Sequence, residues 1–350
     1  RTLPRYFITM PTTEQIQQAI HNVIDPLTGQ ALAGPKNTKN LSLQGGDVSF
    51  EIELGYPAKS LHHDLRQQLI SAVRAVPGVQ NVSVQLSTQV VAHAAQRGVA
   101  LMPQVKNIIA VASGKGGVGK STIATSIAIG LARAGSRVGL LDADVYGPSV
   151  PHLLGLSGRP QVEQGKIQPM LLPVGPRSMT VMSMGFLIPA GEAVVWRGPM
   201  LHGAITQMLR DTAWGPLDYL VIDMPPGTGD IALTLSQVLP LTGAVVVCTP
   251  QDVALLDATK AIAMFRKVNI PILGMVENMS FFVCPDTGKR YDIFGTGGAR
   301  RTAQELDIPF LGEVPIQIPI REHGDAGRTA ANYDDADSRP WLEAICERLV

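Results

Sequence analysis

The sequence predicts an α/β chain, a mostly parallel sheet flanked by helices, with a small α+β domain in front of it. Three observations carry this. Apolar runs at 108–112, 138–141, 219–222, 244–247 and 272–276 alternate with helical patterns. Runs that are apolar on both faces belong to a parallel sheet covered by helices. A glycine-rich loop separates the first of those runs from a helical face. Ahead of them the periodicity reads helix, strands, helix, strand, the mark of a separate unit.

The glycine loop is Gly114-Lys115-Gly116-Gly117-Val118-Gly119-Lys120-Ser121. It satisfies the phosphate-loop pattern of Gly, four residues, Gly, Lys, then Ser or Thr. Ile108-Ile109-Ala110-Val111-Ala112 precedes it as a strand, and Ile123, Ile127 and Leu131 follow at helical spacing. Strand, loop and helix present backbone N–H groups and a helix N-terminus to phosphate. The expected ATP-binding set runs from Gly114 through Ser121 to Thr122. Lys120 reaches the β- and γ-phosphates, and the Ser121 hydroxyl ligates Mg²⁺. Lys115 is a second lysine that an ordinary loop does not need. It is either a solvated surface residue or a specialised one. The whole string resembles the deviant loop of the MinD, ParA and nitrogenase iron-protein class. That resemblance implies that Lys115 reaches across a homodimer to the partner's nucleotide.

Acids gather where strands end. Leu140-Leu141 leads into Asp142-Ala143-Asp144, and Leu220-Val221-Ile222 leads into Asp223. An apolar strand ending in aspartate is the pattern that holds the Mg²⁺ shell, here Asp223. By the same resemblance, Asp144 orients the attacking water and Asp142 supports the metal. Pro225-Pro226-Gly227-Thr228-Gly229-Asp230 follows, and the Gly227 N–H is a candidate γ-phosphate sensor. Its plainer reading is a tight turn.

The chain has 350 residues, enough for two domains, with 45% hydrophobic and 17% charged residues. Residues 12–87 are expected to form the small domain, 88–106 a linker, and 107–350 the large domain. Thr12 and Gln15 form a capping box before Ile16, Ala19, Ile20 and Val23, and Asp25-Pro26 is expected to end that helix. Val48, Phe50, Ile52 and Leu54 alternate as a half-buried strand. Leu65, Leu69, Ile70 and Val73 make a second helical face, and Val82, Val84 and Leu86 alternate again. A helix is expected from Ala92 within the linker. His62 and His63 point to different helix faces and read as surface histidines.

Several longer strings resemble the Mrp/ApbC family of iron–sulfur cluster carrier ATPases. They are Asp142 through Ser149, Trp196-Arg197-Gly198-Pro199-Met200, Pro225 through Asp230, Thr249 through Ala254, Val276 through Ser280 and Phe294 through Gly298. The N-terminal region resembles the small domain of iron–sulfur assembly factors. That domain often opens with Asp-Pro-Glu, where this chain has Leu27. The resemblance implies a homodimeric ATPase that hydrolyses ATP to ADP and phosphate and delivers clusters from a scaffold to apo-proteins. It implies that Asn278 reads the adenine. It also implies a cluster bridging two subunits through Cys-x-x-Cys pairs. Here Cys284-Pro285-Asp286-Thr287 puts threonine at the second position, so two subunits supply two thiolates where a cluster normally takes four. Cys284 is therefore either half of a shared cluster site or an ordinary free cysteine.

Two other classes compete. A MinD- or ParA-like nucleotide switch would recruit partners to a membrane or to DNA. Lys+Arg and Asp+Glu are both 29, and a zero net charge argues against a nucleic-acid partner. The segment from Trp341 to Val350 has two Glu and one Arg, against a basic membrane anchor. An electron-transfer ATPase would need a second cysteine such as Cys248 beside Cys284. Three scattered cysteines exclude a secreted disulfide framework. Arg1-Thr2-Leu3-Pro4-Arg5-Tyr6 lacks the long apolar segment of a signal peptide, so a cytoplasmic location is expected.

Overall fold

Helix α1 (Thr13–His21) begins at the expected capping box: Gln15 N donates to Thr12 Oγ1 at 3.3 Å, and Thr12 N to Gln15 Oε1 at 3.0 Å. It stops sooner than Asp25-Pro26 suggests. Asn22 closes it, its Oδ1 accepting from Gln18 Nε2 at 2.9 Å. Asp25 instead organises the next turn, accepting from Leu27 N, the Thr28 hydroxyl and the Tyr56 hydroxyl. The computed structural model describes residues 10–93, 102–187 and 198–350, and the chain divides into two units, Arg1–Val91 and Ala92–Val350.

The first unit continues with β1 (Thr38–Gln44), β2 (Asp47–Leu54), α2 (His62–Arg74) and β3 (Asn81–Thr88). Strand β2 is central, antiparallel to β1 and parallel to β3. Its Val48, Phe50, Ile52 and Leu54 are buried, as the alternation predicts. Leu65, Leu69 and Val73 of α2 and Ile16 and Ile20 of α1 complete this core. Burying each such side chain contributes about 1.5–3 kcal/mol.

The second unit starts with β4 (Val105–Ser113), α3 (Lys120–Arg133), β5 (Val138–Asp142) and α4 (Val150–Leu154). A hairpin of β6 (Val162–Glu163) and β7 (Lys166–Ile167) leads to β8 (Met170–Val174) and β9 (Arg177–Ser183). Then come α5 (Gly198–Asp211), β10 (Leu217–Asp223), α6 (Asp230–Val238), β11 (Gly243–Cys248) and α7 (Asp252–Lys267). The unit closes with β12 (Ile272–Val283), β13 (Arg290–Tyr291), α8 (Gly298–Glu305), β14 (Phe310–Ile316), α9 (Ile318–Asp325) and α10 (Arg339–Leu349).

Its sheet has the order β13-β12-β11-β4-β10-β5-β9-β8, with β14 also pairing β12. Every pairing is parallel except β8 with β9 and β12 with β13. Strands β5, β10 and β11 are buried along their whole length, because helices cover both faces. The β4–α3 connection steps over β10 to reach β5, whereas β11 lies on the other side of β4. Strand order therefore switches at β4, and the crevice for a ligand opens at its carboxyl end. The helix expected from Ala92 falls mostly outside the described residues, as do Trp196 and Arg197. No helix among the described residues is long and apolar enough to cross a membrane.

Helix α3 is anchored from behind. The buried Tyr333 hydroxyl donates to the Ser126 carbonyl at 2.7 Å and lies 3.6 Å from Cys346 Sγ on α10. Tyr333→Phe removes that hydrogen bond without opening a cavity. It should cost about 0.5–1.5 kcal/mol in urea unfolding, and an unchanged midpoint would show that the anchor is energetically idle.

Candidate functional site

The loop after β4 is shaped by close approaches. A Cβ on Gly114 would stand 2.1 Å from the Asp257 backbone of α7, and one on Gly119 would stand 2.1 Å from Asn278 Nδ2. Gly119 is also the N-cap of α3, in the left-handed region at φ 78°, and no side chain caps the helix. The first N–H groups of α3 thus keep no side-chain acceptor of their own. An uncapped helix start in a crevice is suited to binding an anion. Asn278 pins the loop from β12, its Nδ2 donating to the Val118 carbonyl at 2.9 Å. The Ser113 hydroxyl donates to the Lys115 carbonyl at 2.8 Å. Among the described residues the Lys115 ammonium has no ion-pair partner.

Lys120 is 6% exposed and donates to Asp223 Oδ1, while its Nζ lies 3.4 Å from Ser121 Oγ and 3.7 Å from Asp144 Oδ2. Asp223 stands in register with Asp142 on neighbouring strands, which forces two carboxyls together. Burial, then the other's charge, holds the Asp142 carboxyl above the usual carboxylate range, and burial raises that of Asp223. Three buried carboxyls thus share one buried ammonium. Asp223 Oδ2 is buried with no hydrogen-bond partner. A surplus of negative charge with an orphaned carboxylate oxygen beside a serine hydroxyl fits a hard divalent cation such as Mg²⁺.

Two of the expected site residues have their polar atoms engaged within the protein. Asp142 spends both oxygens inside the protein: Oδ1 accepts from Asp144 N at 3.1 Å, and Oδ2 from Ser183 Oγ at 2.9 Å and Val150 N at 3.2 Å. It shapes the loop that carries Asp144. Asp144 Oδ1 accepts from the N–H groups of Tyr146 and Gly147, leaving Oδ2 toward Lys120. The Gly227 N–H, at φ 87°, donates to the Ser113 carbonyl at 2.9 Å. It is not free for a γ-phosphate in this conformation. Ser113 and Ser183 carry no sequence signal that would have singled them out.

Strand β12 continues past Asn278 to a hairpin tip at Cys284. Cys284 N donates to the Lys289 carbonyl at 2.9 Å, and Gly288 N to the Cys284 carbonyl at 2.8 Å. The Thr287 hydroxyl and the N–H groups of Asp286 and Thr287 lower the Cys284 thiol below its ordinary value. Thr287, at the position of the second cysteine in the motif, supports the first. Cys248 and Cys346 are buried, and burial pushes both thiols up to about 12. Cys248 lies buried at the end of β11, its Sγ 3.8 Å from the Val276 carbonyl. Among the described residues no group of three or more His, Cys, Asp or Glu gathers around Cys284 as a metal site.

Strand, glycine loop, uncapped helix and paired strand-end acids define a nucleotide-binding phosphate-loop NTPase. A family model described as NUBPL iron-transfer P-loop NTPase matches residues 104–350, and one described as iron–sulfur cluster assembly protein matches residues 13–85. An iron–sulfur cluster carrier protein of Deinococcus radiodurans is 48% identical over 338 residues, covering 96% of this chain and 94% of the relative. That of Escherichia coli K12 is 45% identical over 308 residues, covering 87% and 83%. A solved nucleotide-binding protein of Archaeoglobus fulgidus in complex with ADP aligns at a TM-score of 0.59 and 41% identity, covering 65% of this chain and 89% of that one. The Pyrococcus furiosus cell division ATPase MinD aligns at 0.52 and 22% identity, covering 69% and 98%, a likeness of fold. The chain belongs to the NUBPL iron-transfer P-loop NTPase family, with an iron–sulfur assembly domain at its N-terminal side.

A lowered thiol pKa means that Cys284 stays thiolate to lower pH than an ordinary cysteine. Its iodoacetamide alkylation rate should reach half-maximum at a lower pH than that of an ordinary cysteine, while Cys248 and Cys346 stay unmodified in the folded protein. Thr287→Val should move the midpoint upward. A midpoint that Thr287→Val leaves in place would remove the hydroxyl from this account.

Proposed function

We propose that the protein is an ATP-hydrolysing iron–sulfur cluster carrier that works as a nucleotide-dependent homodimer. The observation that carries this is the double use of β12. Asn278 on that strand touches the phosphate loop, and the strand ends at the stabilised thiol of Cys284. Relatives named as iron–sulfur cluster carrier proteins support the cargo, and the ADP-bound neighbour supports the nucleotide. The small domain over 12–87 and the ATPase domain over 107–350 are the proposed functional units, joined by the linker at 88–106.

Gly114 through Thr122 cradle the phosphates, with the N–H groups of α3 aimed at them. Lys120 exchanges its contact with Asp223 for the β- and γ-phosphates. That exchange leaves Asp223 and the Ser121 hydroxyl to hold Mg²⁺, which supplies neutralisation of phosphate charge. Asp144, fixed through Oδ1, keeps Oδ2 to orient the attacking water. Lys115, unpaired in one subunit, is placed on the loop to stabilise charge on the partner's nucleotide. The Gly227 N–H leaves Ser113 for the γ-phosphate, so hydrolysis returns it. Cys284 of each subunit contributes one thiolate to the cargo, and further ligands come from Asp286 or from small thiols. The clients are apo-proteins that receive the cluster.

ATPase assays on three variants test the nucleotide half. Lys120→Ala should lower turnover by roughly 10²-fold or more. Asp144→Ala should slow hydrolysis about 10²-fold while ATP affinity stays near wild type. Lys115→Ala should lower hydrolysis more than affinity, and light scattering with ATP should report a dimer for Asp144→Ala. Normal turnover in Asp144→Ala would displace it from the water-orienting role.

Anaerobic reconstitution with iron and sulfide tests the cargo half. Visible absorption and iron counts should show a labile cluster that Cys284→Ser abolishes and Cys346→Ser retains. Iron bound equally by Cys284→Ser would move the cargo site elsewhere.

A further inference from the structure

A groove of about 340 Å³ lies beside the Cys284 hairpin. Val283 and Pro285, the two residues that flank Cys284, form one wall. Ile316, Ile318 and Trp341 form the other, from the end of β14 and from α9 and α10. Val283 is 43% and Ile318 47% exposed, so apolar side chains on both walls meet solvent. A concave apolar patch at a surface is a candidate binding site. The walls are firm. The Phe281 and Trp341 rings meet edge to face at 5.5 Å, the Arg290 guanidinium covers Phe281, and Gln317 Nε2 donates to the Asp337 carbonyl at 2.8 Å. One charge stands on the lining, the exposed carboxylate of Asp337, and it has no ion-pair partner among the described residues.

We infer that this groove seats the acceptor protein's own cysteine-bearing segment, an extended stretch with an apolar residue and a basic residue next to its acceptor cysteine. The inference rests on the carrier reading of Cys284. Cluster transfer is ligand exchange. An acceptor thiol gives its proton to water and forms an Fe–S bond as the Fe–Sγ bond to Cys284 breaks. Cys284 leaves as the thiolate, and no electrons move. The acceptor sulfur must therefore come within bonding distance of iron at Cys284. Its neighbouring residues then lie over Val283 and Pro285, at the groove. The apolar walls select an apolar neighbour, and Asp337 selects a basic one.

Two labelled peptides test this directly on the cluster-free protein by fluorescence anisotropy. Both contain Cys-x-x-Cys, one preceded by Leu-Lys and the other by Ser-Glu. The Leu-Lys peptide should bind more tightly, and Ile318→Glu should weaken it tenfold or more. Asp337→Lys, at an exposed position that leaves folding intact, should narrow or reverse the preference between peptides. Loading of iron and ATP turnover should stay at wild-type levels in both variants, because neither residue belongs to those sites. Equal binding of the two peptides, or unchanged binding to Ile318→Glu, would overturn the inference. So would conversion of a dimer to a monomer by Ile318→Glu, since a second copy of the chain would then fill the groove. The carrier reading fails separately: wild-type protein that binds no iron but binds the Leu-Lys peptide through Ile318 would sink the cargo and keep the groove.

Discussion

Three carboxyls and one ammonium are buried together where β4, β5 and β10 end. The sheet imposes this: parallel register sets Asp223 beside Asp142, and neither can turn to water. Lys120 offsets part of the charge through Asp223 and, more distantly, Asp144. Buried charge left unpaired is costly. The arrangement is thus best satisfied when more positive charge arrives, and a cation alone would leave Lys120 and the α3 N-terminus facing each other without an anion. A phosphate chain with its divalent ion resolves both demands at once. The affinity for nucleotide and the architecture of the sheet are the same electrostatic fact.

Much of this was legible in the sequence. The parallel sheet follows from apolar runs that leave no polar face, and the phosphate loop from glycines at fixed spacing next to Lys120 and Ser121. The capping box at Thr12 and Gln15 located the start of α1. Its end was misplaced, because Pro26 is a strong stop signal while Asn22 is a weak one that depends on a Gln18 contact. The short strands β6 to β9 carry little periodicity in so few residues.

The contacts at the site that the motifs do not announce share one cause. They depend on partners far away along the chain. Asp142 looks like a metal residue until Ser183, on a different strand, occupies its Oδ2. Gly227 looks like a free sensor until the Ser113 carbonyl takes its N–H. A motif specifies residue types, whereas the third dimension decides which of their atoms remain available. Thr287 shows the converse. Its place in the motif reads as a lost ligand, yet it lowers the Cys284 thiol below its ordinary value.

Met279 sits between Asn278 and the hairpin in the left-handed region, at φ 54°, and the pairing of β12 with β14 slips register there. A non-glycine residue in that conformation is sparsely populated and persists only where its surroundings hold it. The chain from Asn278 to Cys284 spans no more than about 20 Å at strand rise. Met279 therefore bends β12 between the residue that touches the phosphate loop and the hairpin that carries Cys284.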